Sequence, residues 1–319
     1  MLPYIRNALE TRRFFKLICC ASYRNSYFVA TLADIFTQAG AHVIDVGANP
    51  ELVKAARQGI QQGMVGADRQ DEPLVMVSVG INQDVHFLRV EKDWSRCDSN
   101  GYCVNACPHE VFVGSDIRLE NCLGCDYCVI ACPTEALTLI PREPLVSIRA
   151  ILESCLAAGA TALEIHTGHG ERAELEQLWQ ELLPLRSRFH LLAFSLGAHN
   201  QSPAELIQLA QDIIELAGSD IIIQADGKPI SGRKGELSTL PCLELAKTLL
   251  AKKFSAYIQV SGGTNNLTGQ LARAKAIPVH GVGMGSFARK YIDLKPSERQ
   301  LPDKIKTCIQ KAKELVLSV

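Results

Sequence analysis

The sequence lacks the features that would place it in a membrane, outside the cell or on nucleic acid. No apolar run reaches the ~18 residues that a membrane span requires. The first 23 residues mix charge into their apolar stretch and make a poor secretory signal. Charge of one sign is not in excess, since 33 Lys and Arg stand against 34 Asp and Glu. A dedicated nucleic-acid binder would need a basic surplus. We therefore expect a cytoplasmic protein that spans no membrane and binds no nucleic acid.

Several catalytic fingerprints are missing as well. The sequence has no Walker motif, no dinucleotide-binding glycine pattern, and no nucleophile at a recognisable spacing from a base. A radical S-adenosylmethionine motif is excluded because each Cys-x3-Cys pair is followed by a glutamate, Glu110 or Glu135, where a third cysteine is needed. With 319 residues, 47% of them hydrophobic, the chain is long enough for one large α/β domain or two smaller ones.

Cysteine, in contrast, is abundant and clustered. Seven of the twelve cysteines lie between Cys97 and Cys132. The second group among them reads Cys122-Leu-Gly-Cys125-Asp-Tyr-Cys128-Val-Ile-Ala-Cys132-Pro, a complete C-x2-C-x2-C-x3-C-P run. This spacing is typical of iron–sulfur ligation in bacterial ferredoxins. A zinc site is the competing interpretation, but zinc motifs lack the trailing x3-C-P element.

An incomplete copy of this run lies 25 residues earlier, with Asn100 at the position of the second cysteine. The two groups together resemble the two-cluster ferredoxin domain, in which the fourth cysteine of each group binds the other cluster. For a [4Fe–4S] cluster the resemblance implies the ligands Cys122, Cys125, Cys128 and Cys107. For the second cluster it implies Cys97, Cys103 and Cys132.

Three thiolates leave one iron of a cubane without a terminal ligand. We therefore predict that the second cluster is [3Fe–4S], or a [4Fe–4S] cluster with a labile iron. The labile iron would take water, Asn100 or Asp98 as its fourth ligand. Such a cluster suits a redox sensor or an electron entry point. The alternative is that Asn100 is a tolerated substitution without a redox role.

Outside the cysteine region, short apolar runs alternate regularly with helical patterns. The predicted strands are residues 16–22, 42–47, 74–80, 162–168, 190–197, 220–227, 256–263 and 278–283. Helical spacing is found in residues 29–38, 148–158, 173–185, 204–217 and 243–251, among others. Eight such units favour a (β/α)8 TIM-like barrel over an open doubly wound sheet.

The ferredoxin-like segment interrupts the third βα connection of this barrel. We predict that residues 1–80 form the first part of the barrel, residues 81–143 the iron–sulfur insert, and residues 144–319 the remainder. In a barrel this connection lies on the C-terminal face, where active sites are found. The insert holds 10 acidic and 5 basic side chains, which suits a basic electron-transfer partner or simply favours solubility.

Polar residues occupy inward positions near the ends of several predicted strands. A barrel that binds nothing would fill this layer with branched apolar side chains, so convergent polar groups predict a small-molecule site. A buried hydrogen-bond network without a ligand is the alternative. The residues in question are Asp45, Glu164, His166, Gln224, Asp226 and Gln259.

Glycines follow the last two predicted strands, where barrel enzymes usually bind phosphate. This pattern resembles FMN-binding barrels and implies FMN or another phosphate-bearing ligand, although plain tight turns are the alternative. Lys228 and Arg233 would neutralise a phosphate or are merely solvated. The glycine-loop residues are Gly262, Gly263, Thr264, Gly283, Gly285 and Ser286.

The cysteine groups together with the segments Asp45-Val-Gly-Ala-Asn, Gln224-Ala-Asp-Gly-Lys-Pro and Ser261-Gly-Gly-Thr-Asn resemble the cyanobacterial light-dependent period (LdpA) family. Membership implies an iron–sulfur redox protein that passes light-dependent redox state to the circadian clock. It also implies the clock proteins CikA and KaiA as partners, with ferredoxin or quinone as a possible electron donor. The alternative function is an FMN-dependent oxidoreductase that moves electrons between the clusters and a small-molecule substrate at the barrel mouth.

Overall fold

The structure of the chain is a computed structural model. It describes residues 1–19, 25–80, 88–107, 110–114, 116–122, 127–141, 147–168, 172–197, 201–227, 236–295, 298 and 300–319.

Twelve strands occur in the described residues, and eight of them close into a parallel barrel in the order β1-β12-β11-β10-β9-β8-β3-β2. The strands are β1 (Phe14–Ile18), β2 (Val43–Gly47), β3 (Leu74–Gly80), β4 (Leu88–Lys92), β5 (Phe112–Val113), β6 (Asp116–Ile117), β7 (Leu137–Pro141), β8 (Ala162–His166), β9 (Leu191–Gly197), β10 (Ile222–Asp226), β11 (Tyr257–Ser261) and β12 (Gly281–Met284).

The helices of the described residues are α1 (Pro3–Glu10), α2 (Ser26–Ala39), α3 (Pro50–Gly66), α4 (Tyr102–Ala106), α5 (Tyr127–Ile130), α6 (Ile148–Ala157), α7 (Arg172–Leu182), α8 (Pro203–Ala217), α9 (Leu240–Leu250), α10 (Thr268–Ala274), α11 (Ser286–Tyr291) and α12 (Pro302–Leu317). Most helices cover the outside of the barrel, while α1 closes its N-terminal end and α4 and α5 belong to the cysteine region. Short 3-10 segments occur at Leu119–Asn121, Leu183–Arg188 and Glu236–Thr239.

Side-chain caps define where several of these helices begin. The Asn25 side chain accepts a hydrogen bond from the Phe28 amide at the start of α2. At the start of α8, Ser202 and Glu205 form a capping box in which each side chain accepts from the other residue's backbone N–H. Such caps satisfy amide groups that have no partner within the helix. They therefore fix the point at which the chain turns from a barrel loop into a helix.

The predicted (β/α)8 barrel is confirmed, and all eight predicted strands have counterparts in it. The first strand begins two residues earlier than predicted, at Phe14, and the last runs from Gly281 to Met284. Five cysteines lie outside the cluster of seven at no metal-ligand spacing, and the four of them in the described residues are buried like small apolar side chains. These four are Cys19, Cys155, Cys242 and Cys308.

The interior of the barrel has an apolar layer at its N-terminal end. Alternate residues of the strands meet there and pack against one face of α1, which closes this end of the barrel. Arg6 of α1 also pairs with Asp220, before β10, at 3.0 Å. Hydrophobic burial thus fills the lower half of the barrel. The layer consists of Phe14, Val43, Leu74, Met76, Ala162, Leu191, Ala193 and Ile222, with Ile5, Ala8 and Leu9 of α1.

The cysteine region lies between β3 and α6, in the third βα connection as predicted. Its strands pair only with one another within the described residues, β4 with β7 and β5 with β6, both antiparallel. It also has a hydrophobic core of its own. The exact domain limits at residues 80/81 and 143/144 stay a prediction.

No helix within the described part of the chain is long and apolar enough to cross a membrane.

Candidate functional sites

The cysteine region repeats one local structure twice. Cys103 lies in α4 and Cys107 directly follows it, while Cys128 lies in α5 and Cys132 follows that helix after one residue. The two short helices pack against each other. The equal spacing of the cysteine groups therefore becomes a pair of similar helical turns side by side.

Five cysteines lie in one apolar cluster with Val90, Val111, Phe112 and Leu137. An apolar shell excludes water, and in metal sites it contributes to the reduction potential. The backbone N–H of Val90 donates to the Cys122 sulfur at 3.3 Å, the type of hydrogen bond that tunes iron–sulfur clusters. The five cysteines are Cys103, Cys107, Cys122, Cys128 and Cys132.

Two cysteines that the resemblance assigns to the second cluster, one from each half, are polarised toward the thiolate. A hydrogen bond from the Ser99 amide, at 3.4 Å, and one from Lys92 lower the pKa of Cys97. The hydrogen bond with the Thr134 hydroxyl lowers the pKa of Cys132. Iron binds thiolate rather than thiol, so these residues fit an iron–sulfur group. Cys125 lies outside the described residues, and the crossed ligand assignment stays a prediction.

Asn100 has a local role in the backbone. Its side-chain oxygen accepts a hydrogen bond from the Tyr102 amide at 3.0 Å, and its own amide donates to Asp98 at 3.3 Å. Two consecutive side-chain-to-backbone turns therefore hold the segment before α4. The Asn100 oxygen that would bind the labile iron therefore already accepts a hydrogen bond within this turn.

A buried ion pair lies in the polar layer of the barrel. Lys16 of β1 donates through Nζ to Oε2 of Glu164 on β8, and both side chains are at most 1% exposed. Burial by itself would lower the pKa of Lys16, but attraction by Glu164 and the neighbouring carboxylates outweighs it, so the pKa is raised. Lys16 is therefore a charged partner and not a neutral amine nucleophile.

Lys16 is not among the predicted inward residues, although the first predicted strand begins with it. The available signal was alternation: Phe14, Lys16 and Ile18 share the inward face of β1. A lysine among phenylalanines and leucines on a barrel strand has to find an acidic partner inside.

Asp45 and Ser78 lie beside this pair, on β2 and β3. The Ser78 hydroxyl donates to Oδ1 of Asp45 at 2.7 Å. Burial and then repulsion by Glu164 raise the pKa of Asp45 to about 7, against the opposing attraction of Lys16. The carboxyl group therefore titrates near neutral pH.

A glutamine side chain joins the two carboxylates on the other side. Nε2 of Gln224 donates to Oε1 of Glu164 at 2.6 Å and approaches the two oxygens of Asp226 at 3.2 and 3.1 Å. Gln259 donates to Oε1 of Gln224 at 2.7 Å. The Ser195 hydroxyl also donates to Oδ2 of Asp226. Glu164, Gln224, Asp226 and Gln259 thus form one hydrogen-bonded network, and Asp45 lies beside it.

His166 completes this network at its upper edge. Its Nε2 lies 3.6 Å from Oε1 of Glu164. His166 is 9% exposed and lies, with the half-buried Asp226, at the more accessible side of this network. Donor atoms of His166, Glu164 and Asp226 all lie within 4.8 Å of one another. Whether this network binds a small molecule stays a prediction.

The glycines at the ends of β11 and β12 make close contacts within the fold, and Gly283, predicted at the end of the last strand, lies inside β12. Gly262 has a φ of +69°, and a Cβ atom there would lie 2.7 Å from the Gly227 amide nitrogen. A Cβ atom at Gly283 would lie 2.8 Å from Nε2 of the Gln259 side chain and 3.2 Å from Cε of Lys16. These glycines allow neighbouring chain segments to approach each other. Their presence therefore has a packing explanation that requires no phosphate.

The remaining loop residues lie at the ends of β11 and β12 and have local backbone roles. Thr264 donates its hydroxyl hydrogen to the Gly283 carbonyl at 2.5 Å. Gly263 has a φ of +80°, Gly285 precedes α11, and Ser286 begins this helix of only six residues. Lys228 and Arg233 lie outside the described residues. Phosphate or FMN binding here stays a prediction.

Comparisons with known proteins match both regions. Residues 155–318 match the "Light dependent period A C-terminal domain" family, and residues 116–138 match the "4Fe-4S binding domain" family. The protein "Light dependent period A" of Synechococcus elongatus is 34% identical over 294 residues, which cover 88% of this chain and 82% of that protein. The second match includes all four cysteines of the complete run.

Solved structures resemble the chain in fold alone. The YdjI aldolase from Escherichia coli K12 superposes with a TM-score of 0.52 at 10% identity, covering 98% of this chain and 92% of the aldolase. The deoxyribose phosphate aldolase from Aeropyrum pernix gives a TM-score of 0.51 at 11% identity, covering 88% and 94%. Both comparisons support the barrel architecture.

Breaking the buried ion pair should destabilise the protein strongly. Lys16→Met leaves Glu164 buried without its cation, which we expect to cost about 3–5 kcal/mol of unfolding free energy. The double variant Lys16→Met/Glu164→Gln should cost less than the two single changes combined, because it removes both charges. Anaerobic urea denaturation measures all three variants.

The exposed pair Arg149–Glu153, at 3.1 Å on α6, is the matched control. Arg149→Met and Glu153→Gln should change stability little, since solvent screens exposed pairs. Equal effects of Lys16→Met and Arg149→Met would contradict the central role of the buried pair.

Asp45 should make stability depend on pH. Its pKa of about 7 in the folded protein exceeds that of an unfolded aspartate, near ~3.9. The folded state therefore holds the proton more tightly between these values, and stability falls as pH rises through this window. The slope from this group is at most about 1.4 kcal/mol per pH unit.

Asp45→Asn keeps an acceptor for Ser78 but cannot titrate. We therefore expect the free energy of unfolding of Asp45→Asn to increase relative to that of the wild type between pH 5.5 and pH 8, as measured by urea denaturation. Asp71→Asn, at an exposed aspartate, should leave the pH dependence unchanged. Parallel curves for Asp45→Asn and the wild type would show that Asp45 does not titrate in this range.

Proposed function

The chain belongs to the light-dependent period A family, and on that premise we propose that it is a cytoplasmic iron–sulfur redox protein that relays the reduction state of the cell to the circadian clock. The 4Fe-4S binding domain within residues 116–138 supports the redox part of this proposal. The family supports the link to light-dependent timing. In this proposal the output is a change in how the protein binds its partners.

The proposal depends most on the state of Asn100. Its side-chain oxygen is hydrogen-bonded to the Tyr102 amide at 3.0 Å, so the incomplete half has three thiolates and an engaged carboxamide. In our proposal Cys97, Cys103 and Cys132 hold a [3Fe–4S] or labile [4Fe–4S] cluster. The [4Fe–4S] cluster would be held by Cys107, Cys122, Cys125 and Cys128.

Such clusters supply one-electron chemistry at potentials set by the surrounding protein. The residues around the two halves differ, so we expect the two clusters to have different reduction potentials. Cys122 and Cys128 are buried, whereas Cys97 is partly exposed and outside the apolar cluster. The incomplete half is therefore the more accessible to oxidants and electron donors, as a sensor requires.

The insert also suits electron exchange with a charged donor. Its excess of acidic side chains would guide a partner with a basic docking face. We propose ferredoxin or quinone as the source of electrons, and CikA and KaiA as the proteins that respond. The family resemblance is the support for these partners.

Asn100→Cys tests the proposal directly, because it completes the C-x2-C-x2-C-x3-C-P run of the first half. We expect iron content to rise from about seven to about eight atoms per chain, with loss of the electron paramagnetic resonance signal of an oxidised three-iron cluster. Binding of CikA or KaiA should depend on the redox state for the wild type and become insensitive in Asn100→Cys.

Asn105→Cys is the matched control, since it adds a thiol to exposed α4 outside the ligand spacing. It should leave the iron content and the three-iron signal as in the wild type. Eight firmly bound irons in the wild type after exposure to air would contradict the labile second cluster. Partner binding that ignores the redox state of the wild type would contradict the sensor.

The FMN-dependent oxidoreductase is the alternative proposal. Its support is the convergence of polar side chains inside the barrel, while the glycine loops have the packing explanation given above. Acid denaturation of anaerobically purified protein should release no flavin fluorescence if the sensor proposal is right. About one flavin per chain, with turnover of a substrate, would establish the enzyme instead.

A further inference from the structure

We propose that the C-terminal mouth of the barrel binds one divalent metal ion through Glu164, His166 and Asp226. This site is separate from the iron–sulfur cysteines and does not depend on the proposed redox function. Its donors are two carboxylates and an imidazole, a set that first-row divalent ions such as Mn²⁺ and Zn²⁺ accept.

The barrel topology brings these three side chains together. Glu164 and His166 are inward neighbours near the end of β8, and Asp226 ends β10. The intervening strand β9 places Ser195 opposite His166 and Gly197 opposite Asp226 in the strand register. A glycine and a serine there leave space between the two outer strands. The donors therefore converge on the mouth from both sides of β9.

The distances between donor atoms suit a single ion. Two atoms bound ~2.1 Å from one ion lie about 3.0–3.5 Å apart at angles of 90–110°. Nε2 of His166 and Oε1 of Glu164 are 3.6 Å apart, and all three donor groups lie within 4.8 Å of one another. Side-chain shifts of less than about an ångström would complete the coordination.

Neighbouring residues already orient the carboxylates. Gln224 donates to Glu164 and approaches Asp226, and the Ser195 hydroxyl donates to Oδ2 of Asp226. Metal-binding carboxylates are usually held by such outer hydrogen bonds, which fix their orientation. Each carboxylate oxygen has two lone pairs and can accept one of these bonds and still bind an ion.

Gln259 gives an independent indication of a ligand in this network. It is fully buried, and its carboxamide oxygen has no hydrogen-bond partner among the described residues. Its Nε2 is bound to Gln224, which contacts both carboxylates. Leaving a buried carbonyl oxygen unpaired is costly. A water molecule on a hydrated ion would supply the hydrogen that this oxygen lacks.

The balance of charge favours a cation. Within the described interior, Asp45, Glu164 and Asp226 stand against Lys16 as the one lysine or arginine. Buried carboxylates need compensation by a positive charge or by a bound metal ion. A divalent ion beside Glu164 and Asp226 would offset the negative charge of these two carboxylates, to which Asp45, whose pKa is about 7, adds a charge only above this pH.

Mn²⁺ alone is the probe for this site, because as a hard ion it prefers carboxylate and imidazole donors to the thiolates of the insert. The full chain with its clusters, freed of loose metal on a chelating resin, is titrated anaerobically. The decrease of the free-Mn²⁺ paramagnetic resonance signal measures binding. We expect one Mn²⁺ per chain, with spin-echo modulation from a directly bound histidine nitrogen.

Asp226→Asn should weaken Mn²⁺ binding by at least ~10-fold, and His166→Gln should remove the nitrogen modulation. Asp34→Asn on α2 is the control, since it makes the same change at a partly buried aspartate outside the barrel interior, and it should bind as the wild type does. Iron content and circular dichroism verify that each variant is folded.

Three results would overturn the site: no bound Mn²⁺, equal binding by Asp226→Asn and the wild type, or wild-type binding without nitrogen modulation. The last result needs no variant, so the proposal remains testable even if a substitution prevents folding. None of these results would affect the proposed cluster in the insert, whose test reads iron content.

Discussion

The ion pair between Lys16 and Glu164 constrains the rest of the barrel interior. Two charges that are at most 1% exposed need each other and further hydrogen bonds to remain ionised. Gln224 supplies one such bond to Glu164. Gln224 also contacts Asp226 and accepts a hydrogen bond from Gln259. Gly283 leaves the space that the Lys16 stem occupies. The polar layer is therefore a single unit above the apolar layer that α1 closes.

The insert depends on a different principle, in which the spacing of cysteines decides the local structure. In each half, one cysteine lies in a short helix and a second cysteine lies just after that helix. Where the complete half has Cys125, the incomplete half has Asn100, and the chain uses its carboxamide to hold the turn before α4. A hydrogen bond thus holds the chain at the position where the complete run has a cysteine.

Much of this architecture could be predicted from the sequence, because it depends on periodicity and local spacing. Alternation placed Glu164, Gln224 and Asp226 on inward faces, and eight strand signals gave the barrel. Lys16 was missed because its partner is 148 residues away in the chain, and only closure of the barrel brings β1 within reach of β8. The packing role of Gly262 was missed for a related reason, since its neighbour Gly227 belongs to another strand end.

The chain enters the insert after β3 and returns to the barrel before α6, and the first of these two connections lies beside the polar layer. The insert leaves the barrel after Gly80, and Gly80 lies opposite His166 in the register of β3 and β8. Two residues earlier on the same strand, Ser78 lies opposite Glu164 and donates to Asp45. A shift of β3 at this end would therefore act on both partners of Lys16. Coupling between two sites requires an element that both can bias. The end of β3 adjoins both regions, because its next residues lead into the insert and its inward Ser78 side chain belongs to the charged network.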